Sequence, residues 1–178
     1  IIATVDRSKA EGQRNRAILE TLYSCGLRVS ELVNLKLSDL YFDEGFIKVE
    51  GKGNKQRLIP ISPRAINEIK LYFTDRNQIE VKSGHEDFVF ISLRRGKRLS
   101  RIMIFHMIKE LAQQASITKN ISPHTFRHSF ATHLLEGGAN LRAIQCMLGH
   151  ESIATTEIYT HIDRNVLRSE IIEHHPRN

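Results

Sequence analysis

Apolar positions along the chain change period several times, and each change marks an element. In RNRAILETLYSCG, Ala17, Ile18, Leu22 and Cys25 recur at helical spacing on one face, and Gly26 supplies a C-terminal stop. VSELVNLKLSDL resumes with Leu32, Val33, Leu35 and Leu37, so two short helices are expected to meet around 26–30. The period then drops to two. FIKVE alternates apolar and polar, GKGN is a turn signal and RLIPI is a second extended run, which predicts a β-hairpin with Lys52 at its tip or shoulder. Ser62-Pro63 reads as an N-cap followed by proline at the first helical position, opening a helix through about Phe73.

DFVFISL is a further strand candidate, with RRGKR as its turn. Ser100 caps RIMIFHMIKELAQQA, Ser122-Pro123 opens HTFRHSFATHLLEGG, and Asn140 caps LRAIQCML, which Gly149 ends. Ser152 is placed to cap IATTEIYTH, and Asp163 to cap RNVLRSEIIEHH. The expected class is mainly α with a small antiparallel β-sheet (α+β), one domain over residues 1–178 without internal repeats or low-complexity linkers.

Composition narrows this to a soluble globular protein. The 178 residues are 40% apolar, with no long uncharged apolar run, so neither a membrane span nor a signal peptide is visible. The chain begins with Ile1, and IIATV reads as the tail of a helix already under way, so an N-terminal part is expected to be missing. Cys25 and Cys146 are far apart and in no metal-like pairing; they fit two small buried side chains in a reducing cytoplasm. The net charge of +6 is uneven, because Arg94, Arg95, Lys97, Arg98 and Arg101 fall within eight positions. Such a run is commonly a solvated loop, but with a basic chain behind it a polyanionic partner is indicated.

The chemistry begins at one helix start. His124 and Arg127, three apart, share a helical face, and arginine forks onto two phosphate oxygens, so a phosphate cradle is plausible there. The rival is zinc, since His124 and His128 are four apart; but no HExxH glutamate stands between them and no third ligand is evident from spacing. No metal or other cofactor is called for.

The segment HTFRHSFATHLLEGGANLRAIQCMLGHESIATTEIYTHID resembles the C-terminal signature of the tyrosine site-specific recombinases of the phage-integrase family, and within them the Xer type. GLRVSELVNLKLSDL and GKGNKQRLIPI resemble two further blocks of that family in the same order, and HHPRN resembles its tail. The resemblance implies the fold of the recombinase catalytic domain, with the N-terminal core-binding domain absent from this chain. It also implies a catalytic set: Arg28, Lys52, His124, Arg127, His150 and, as nucleophile, Tyr159. Glu31, one turn after Arg28, would hold that arginine by a salt bridge, and Lys55, Arg57 and the Arg94–Arg101 cluster would position DNA phosphates.

Such a set makes chemical sense. Tyrosine has a pKa of about 10, so only about a thousandth is phenolate at pH 7. Attack on a phosphodiester therefore needs a base, which would be His124, and a cationic site for the developing charge, which Arg28 and Arg127 would provide with a hydrogen bond from His150. Lys52 would protonate the leaving 5′-oxygen. A preorganised donor of this kind contributes roughly 3–4 kcal/mol, so two arginines with further donors could together do the electrostatic work without a metal. The bond energy would be retained in the phosphotyrosine, so the chemistry would need no ATP. The resemblance further implies double-stranded DNA as partner, a tetramer of protomers on two duplexes, and activation by a divisional DNA translocase. Residues 163–178 carry Val166, Leu167, Ile171 and Ile172 on one stripe; packing on the chain's own domain is the simple expectation, and docking on a neighbouring protomer is what the family implies. The expected function is resolution of chromosome dimers by cutting and rejoining DNA. The alternatives are an integrase of a phage or mobile element and a catalytically inactive DNA-binding module.

Overall fold

The computed structural model describes residues 1–149 and 164–178. Its centre is helix α1 (Gly12–Cys25), which lies against α3 (Pro63–Arg76) and α5 (Pro123–Glu136). Ala17, Ile18, Leu19, Leu22 and Cys25 are fully buried, and so are Glu20 and Thr21, so the single apolar face read from the sequence is too narrow. The buried polar positions are satisfied internally. Thr21 Oγ1 donates to Ala17 O (2.7 Å), Ser24 Oγ donates to Ser62 Oγ (3.0 Å), and Glu20 accepts from Arg177 Nε (3.1 Å).

Gly26 ends α1 in the left-handed conformation (φ 64°), its N–H donating to Leu22 O at 3.0 Å. A Cβ there would lie 2.4 Å from the Phe130 ring, so the glycine also allows α5 to pack closely on the end of α1. The next helix, α2 (Val29–Val33), is shorter than the spacing of Leu32, Val33, Leu35 and Leu37 predicts. Beyond Val33 the backbone is captured by a distant segment: Val89 N donates to Leu35 O (3.0 Å) and Leu37 N to Asp87 O (2.6 Å). Leu37–Asp39 then forms a single 3-10 turn.

The sheet has three antiparallel strands in the order β1 (Leu40–Tyr41), β2 (Phe46–Glu50) and β3 (Gln56–Pro60). The expected hairpin is β2–β3, with Val49 opposite Arg57 and Glu50 opposite Gln56. DFVFISL does not join it, forming only isolated bridges at Phe88 and Ile91. Its backbone bonds partly to those single partners and partly to side chains: Tyr72 Oη donates to Val89 O (2.9 Å) and accepts from Ile91 N (3.1 Å), and Arg76 Nε donates to Val89 O (3.1 Å).

Ser62, Ser100 and Asn140 cap α3, α4 (Arg101–Gln114) and α6 (Leu141–Leu148) as their positions predict. One core gathers α1 to α4 and the sheet; a second joins Phe130 and Leu134 of α5 with Ile144 and Met147 of α6. Leu167 and Ile171 of a final helix, α7 (Arg164–His174), complete the second core. At the end of α7, His174 Nδ1 donates to Gly137 O (2.6 Å), and just beyond it His175 Nε2 donates to Tyr23 O (3.0 Å), which seats the chain end on α1 and α5. His175 is buried against Tyr23 and Phe130.

Candidate functional site

Arg127 projects from the second turn of α5 between the ends of two other helices. Nη1 donates to Gly26 O (2.6 Å) and Nη2 to Leu148 O (2.7 Å), so the guanidinium is gripped by main-chain carbonyls. Both carbonyls belong to turns closed by left-handed glycines, Gly26 and Gly149 (φ 70°). Burial, reinforced by the nearby charges of Arg28 and Arg57 and opposed by Glu31, pushes the Arg127 pKa down to about 10. It stays protonated at neutral pH.

Arg28 caps the start of α2 in an extended conformation, and its side chain is 42% exposed. Glu31, buried beside it, accepts from Arg28 N at 2.9 Å and lies 3.9 Å from Arg28 Nη1. The support expected of Glu31 is therefore mainly to the backbone, and its stronger side-chain partner is Arg57. Both guanidinium Nη atoms of Arg57 donate to that carboxylate, Nη2 at 3.1 Å from Oε1. Arg57 Nε donates to Met147 O at 3.0 Å. The sequence reading sets Arg57 against DNA phosphates; the side chain is instead turned inward, its donors held by Glu31 and Met147.

Lys52 opens the 3-10 turn Lys52–Asn54 that joins β2 to β3, and it is exposed. The turn takes Gly53 through φ 72° with open space around it, and Gly51 N donates to Lys55 O (2.8 Å) to close the loop. A Cβ on Gly51 would sit 3.4 Å from Arg57 Nη1, so the lysine-bearing turn rests directly on the Arg57–Glu31 pair. His124 is exposed one turn before Arg127 on α5. The hairpin, the start of α2, the end of α6 and the start of α5 thus converge on a group of guanidiniums. His150 and Tyr159 lie outside the described residues.

Arg94, Arg95, Lys97, Arg98 and Arg101 are all exposed, and Arg98 in addition sets its guanidinium over Phe88 (5.3 Å to the ring centroid) and donates to Asn34 Oδ1. Lys55 is exposed beside the hairpin turn. Cys25 and Cys146 are both buried free thiols; burial pushes the Cys25 thiol up to about 12. Among the described residues, no three His, Cys, Asp or Glu side chains gather to hold a metal, and no helix is long and apolar enough to cross a membrane. Sequence reasoning missed the two carbonyls that hold Arg127, because a main-chain acceptor has no residue type; the glycines after α1 and α6 were the available signal. It also gave His174 and His175 no role, whereas both anchor the chain end.

The chain is similar to known proteins. The chain is 47% identical to the tyrosine recombinase XerD of Staphylococcus saprophyticus, over 99% of this chain and 60% of that protein. It is 49% identical to XerD of Chlorobaculum tepidum, over 92% of this chain and 54% of that protein. The chain thus spans a little over half the length of these curated relatives. Among solved structures, it superposes on XerA recombinase with a TM-score of 0.74 at 38% identity, covering 99% of this chain and 60% of that one. For the XerH site-specific recombinase bound to its difH substrate in a pre-cleavage complex, the TM-score is 0.72 at 30% identity, covering 90% of this chain and 46% of that one. The model of the phage integrase family matches residues 1–165, and it is to this family that the chain belongs.

Proposed function

We propose that this chain is the catalytic domain of a Xer-type DNA recombinase, which cuts and rejoins strands through a 3′-phosphotyrosyl intermediate. One observation carries the reading: the guanidiniums of Arg28 and Arg57 lie near enough to Arg127 to press on its charge, while Glu31 is, among the described residues, the one carboxylate paired with the group. Glu31 balances Arg57, and the remaining positive charge suits a phosphodiester.

In this reading Arg28 and Arg127 hold the two non-bridging oxygens, joined by His150. The Tyr159 oxygen attacks phosphorus and forms the new P–O bond, the P–O5′ bond breaks, His124 takes the phenol proton, and Lys52 gives one to the departing 5′-oxygen. Bond energy is kept in the phosphotyrosine, so a 5′-hydroxyl from another strand can reverse the step without ATP. A lysine on an exposed, glycine-flanked turn suits a proton donor that must reach the DNA. XerH captured on difH before cleavage, and XerD relatives at 47–49% identity, support DNA as substrate and favour the Xer kind over a mobile-element integrase.

The proposal extends to assembly. The complete protein would add an N-terminal DNA-binding domain, four protomers would join two duplexes, and residues 163–178 would dock on a neighbour. Within one chain α7 packs on its own domain, yet Val166 and Ile172 face outward, which leaves an apolar edge for contact between protomers. Resolution of chromosome dimers, with activation by a divisional DNA translocase, follows from the same reading.

The test is a nicked suicide duplex carrying a Xer-type core site, incubated in EDTA with the full-length protein and its Tyr159→Phe variant. An SDS-resistant protein–DNA adduct that the variant does not form is expected. DNA bound in a gel shift without any adduct would overturn the catalytic reading in favour of an inactive binding module.

A further inference from the structure

Arg57 carries its charge into a site where only 9% of its side chain is exposed. Stability alone is a weak account of this, because a buried ion pair is often no more stabilising than well-packed apolar residues of similar volume. The geometry is more specific than neutralisation requires. The fork reaches both oxygens of Glu31, while Nε turns the other way to Met147 O at 3.0 Å. Two glycines close the remaining approaches: a Cβ on Gly149 would lie 3.0 Å from Arg57 Cζ, and one on Gly51 would lie 3.4 Å from Nη1.

Each of these partners adjoins a residue of the proposed chemistry. Glu31 fixes the start of α2 by accepting from Arg28 N. Gly51 precedes Lys52. Met147 precedes Leu148, whose carbonyl grips Arg127, and Gly149 leads in sequence to His150. We infer that Arg57 is a positioning residue for strand transfer: one guanidinium sets the hairpin, the start of α2 and the end of α6 in a common register, so that Arg28, Lys52 and Arg127 meet one phosphate. The inference rests on the functional reading above. It requires the planar fork, since a lysine supplies the same charge as a single point and cannot span Glu31 and Met147 together.

Arg57→Lys in the full-length protein tests this, with three readouts: melting temperature, affinity for the nicked Xer-type duplex by gel shift, and single-turnover adduct formation at saturating protein. A fold and an affinity close to wild type, with adduct formation slowed by about 10²-fold as a shift of about an ångström would produce, is the expected result. Cleavage within about threefold of wild type, well below that positioning effect, or a loss that merely parallels weaker binding or melting, would overturn the inference. If Arg57→Lys does not fold, the isosteric Glu31→Gln decides by the same split between rate and affinity, with a loss of about tenfold expected from one weakened charged hydrogen bond. Absence of an adduct from the wild-type protein would sink the functional reading, and this inference with it; normal cleavage by Arg57→Lys would sink the inference alone.

Discussion

The buried His175 makes the chain's stability depend on pH in a calculable way. Its Nε2 donates to Tyr23 O (3.0 Å) while its Nδ1 accepts from Arg177 N (3.0 Å), so the folded environment fits the neutral ring. Adding a proton at Nδ1 would set two donors against each other. Burial, with the charges of His133 and Arg177 added and the Tyr23 carbonyl opposing, pushes its pKa down from 6.5 to about 4. The unfolded chain therefore binds this proton at higher pH than the folded one. The contribution is fully present above pH 6.5, is lost as pH falls, and is gone below about pH 4. The separation corresponds to about 3 kcal/mol in total, and to about 2 kcal/mol already at pH 5. Urea unfolding at pH 7 and pH 5, for the wild type and for His175→Gln, isolates the effect from the other histidines. The drop between the two pH values should be about 2 kcal/mol smaller in the variant. An equal drop, or an imidazole resonance of His175 titrating near 6.5 by NMR, would refute the reasoning.

Other consequences are as open to measurement. Gly26→Ala combines a left-handed φ of 64° with a Cβ 2.4 Å from the Phe130 ring, and should cost about 3 kcal/mol in urea unfolding. Leu167→Ala removes a nearly fully buried side chain from the second core and should cost about 2–5 kcal/mol; a negligible change would show that α7 does not seat on its own domain in solution. Replacing Arg94, Arg95 and Lys97 together with glutamine should weaken DNA binding and reduce its salt slope by about 0.9 for each phosphate no longer neutralised, while cleavage at saturating protein falls far less.

The helix boundaries were legible wherever a local signal fixed them. Ser62, Ser100 and Asn140 each accept a backbone hydrogen bond at the helix start they mark, and Gly26 and Gly149 end helices as their positions indicate. The hairpin was legible for the same reason, since alternation and the GKGN turn are local. Failures came where a distant segment decided. Leu35 and Leu37 have helical spacing, but pairing of their backbone with Asp87 and Val89 ends α2 at Val33. DFVFISL has strand composition, but Tyr72 and Arg76 take up the Val89 carbonyl and the Ile91 amide where a neighbouring strand would have paired. Arg57 shows the same limit at the site: beside Lys55 it reads as one more surface cation, and only the tertiary approach of Glu31 and Met147 turns it inward.

The grip on Arg127 has a consequence for how this site endures mutation and how strongly it attracts an anion. Its two acceptors are peptide oxygens at the C-terminal ends of α1 and α6, so no exchange of side chains at residues 26 or 148 deletes them; only displacement of the backbone does. These helix ends present the negative poles of two dipoles, which attract the guanidinium locally although neither helix backbone carries net charge. A carboxylate in the same place would have cancelled the arginine's field a few ångströms away. Held by dipoles, Arg127 is fixed in position yet presents nearly its whole charge to whatever occupies its open side.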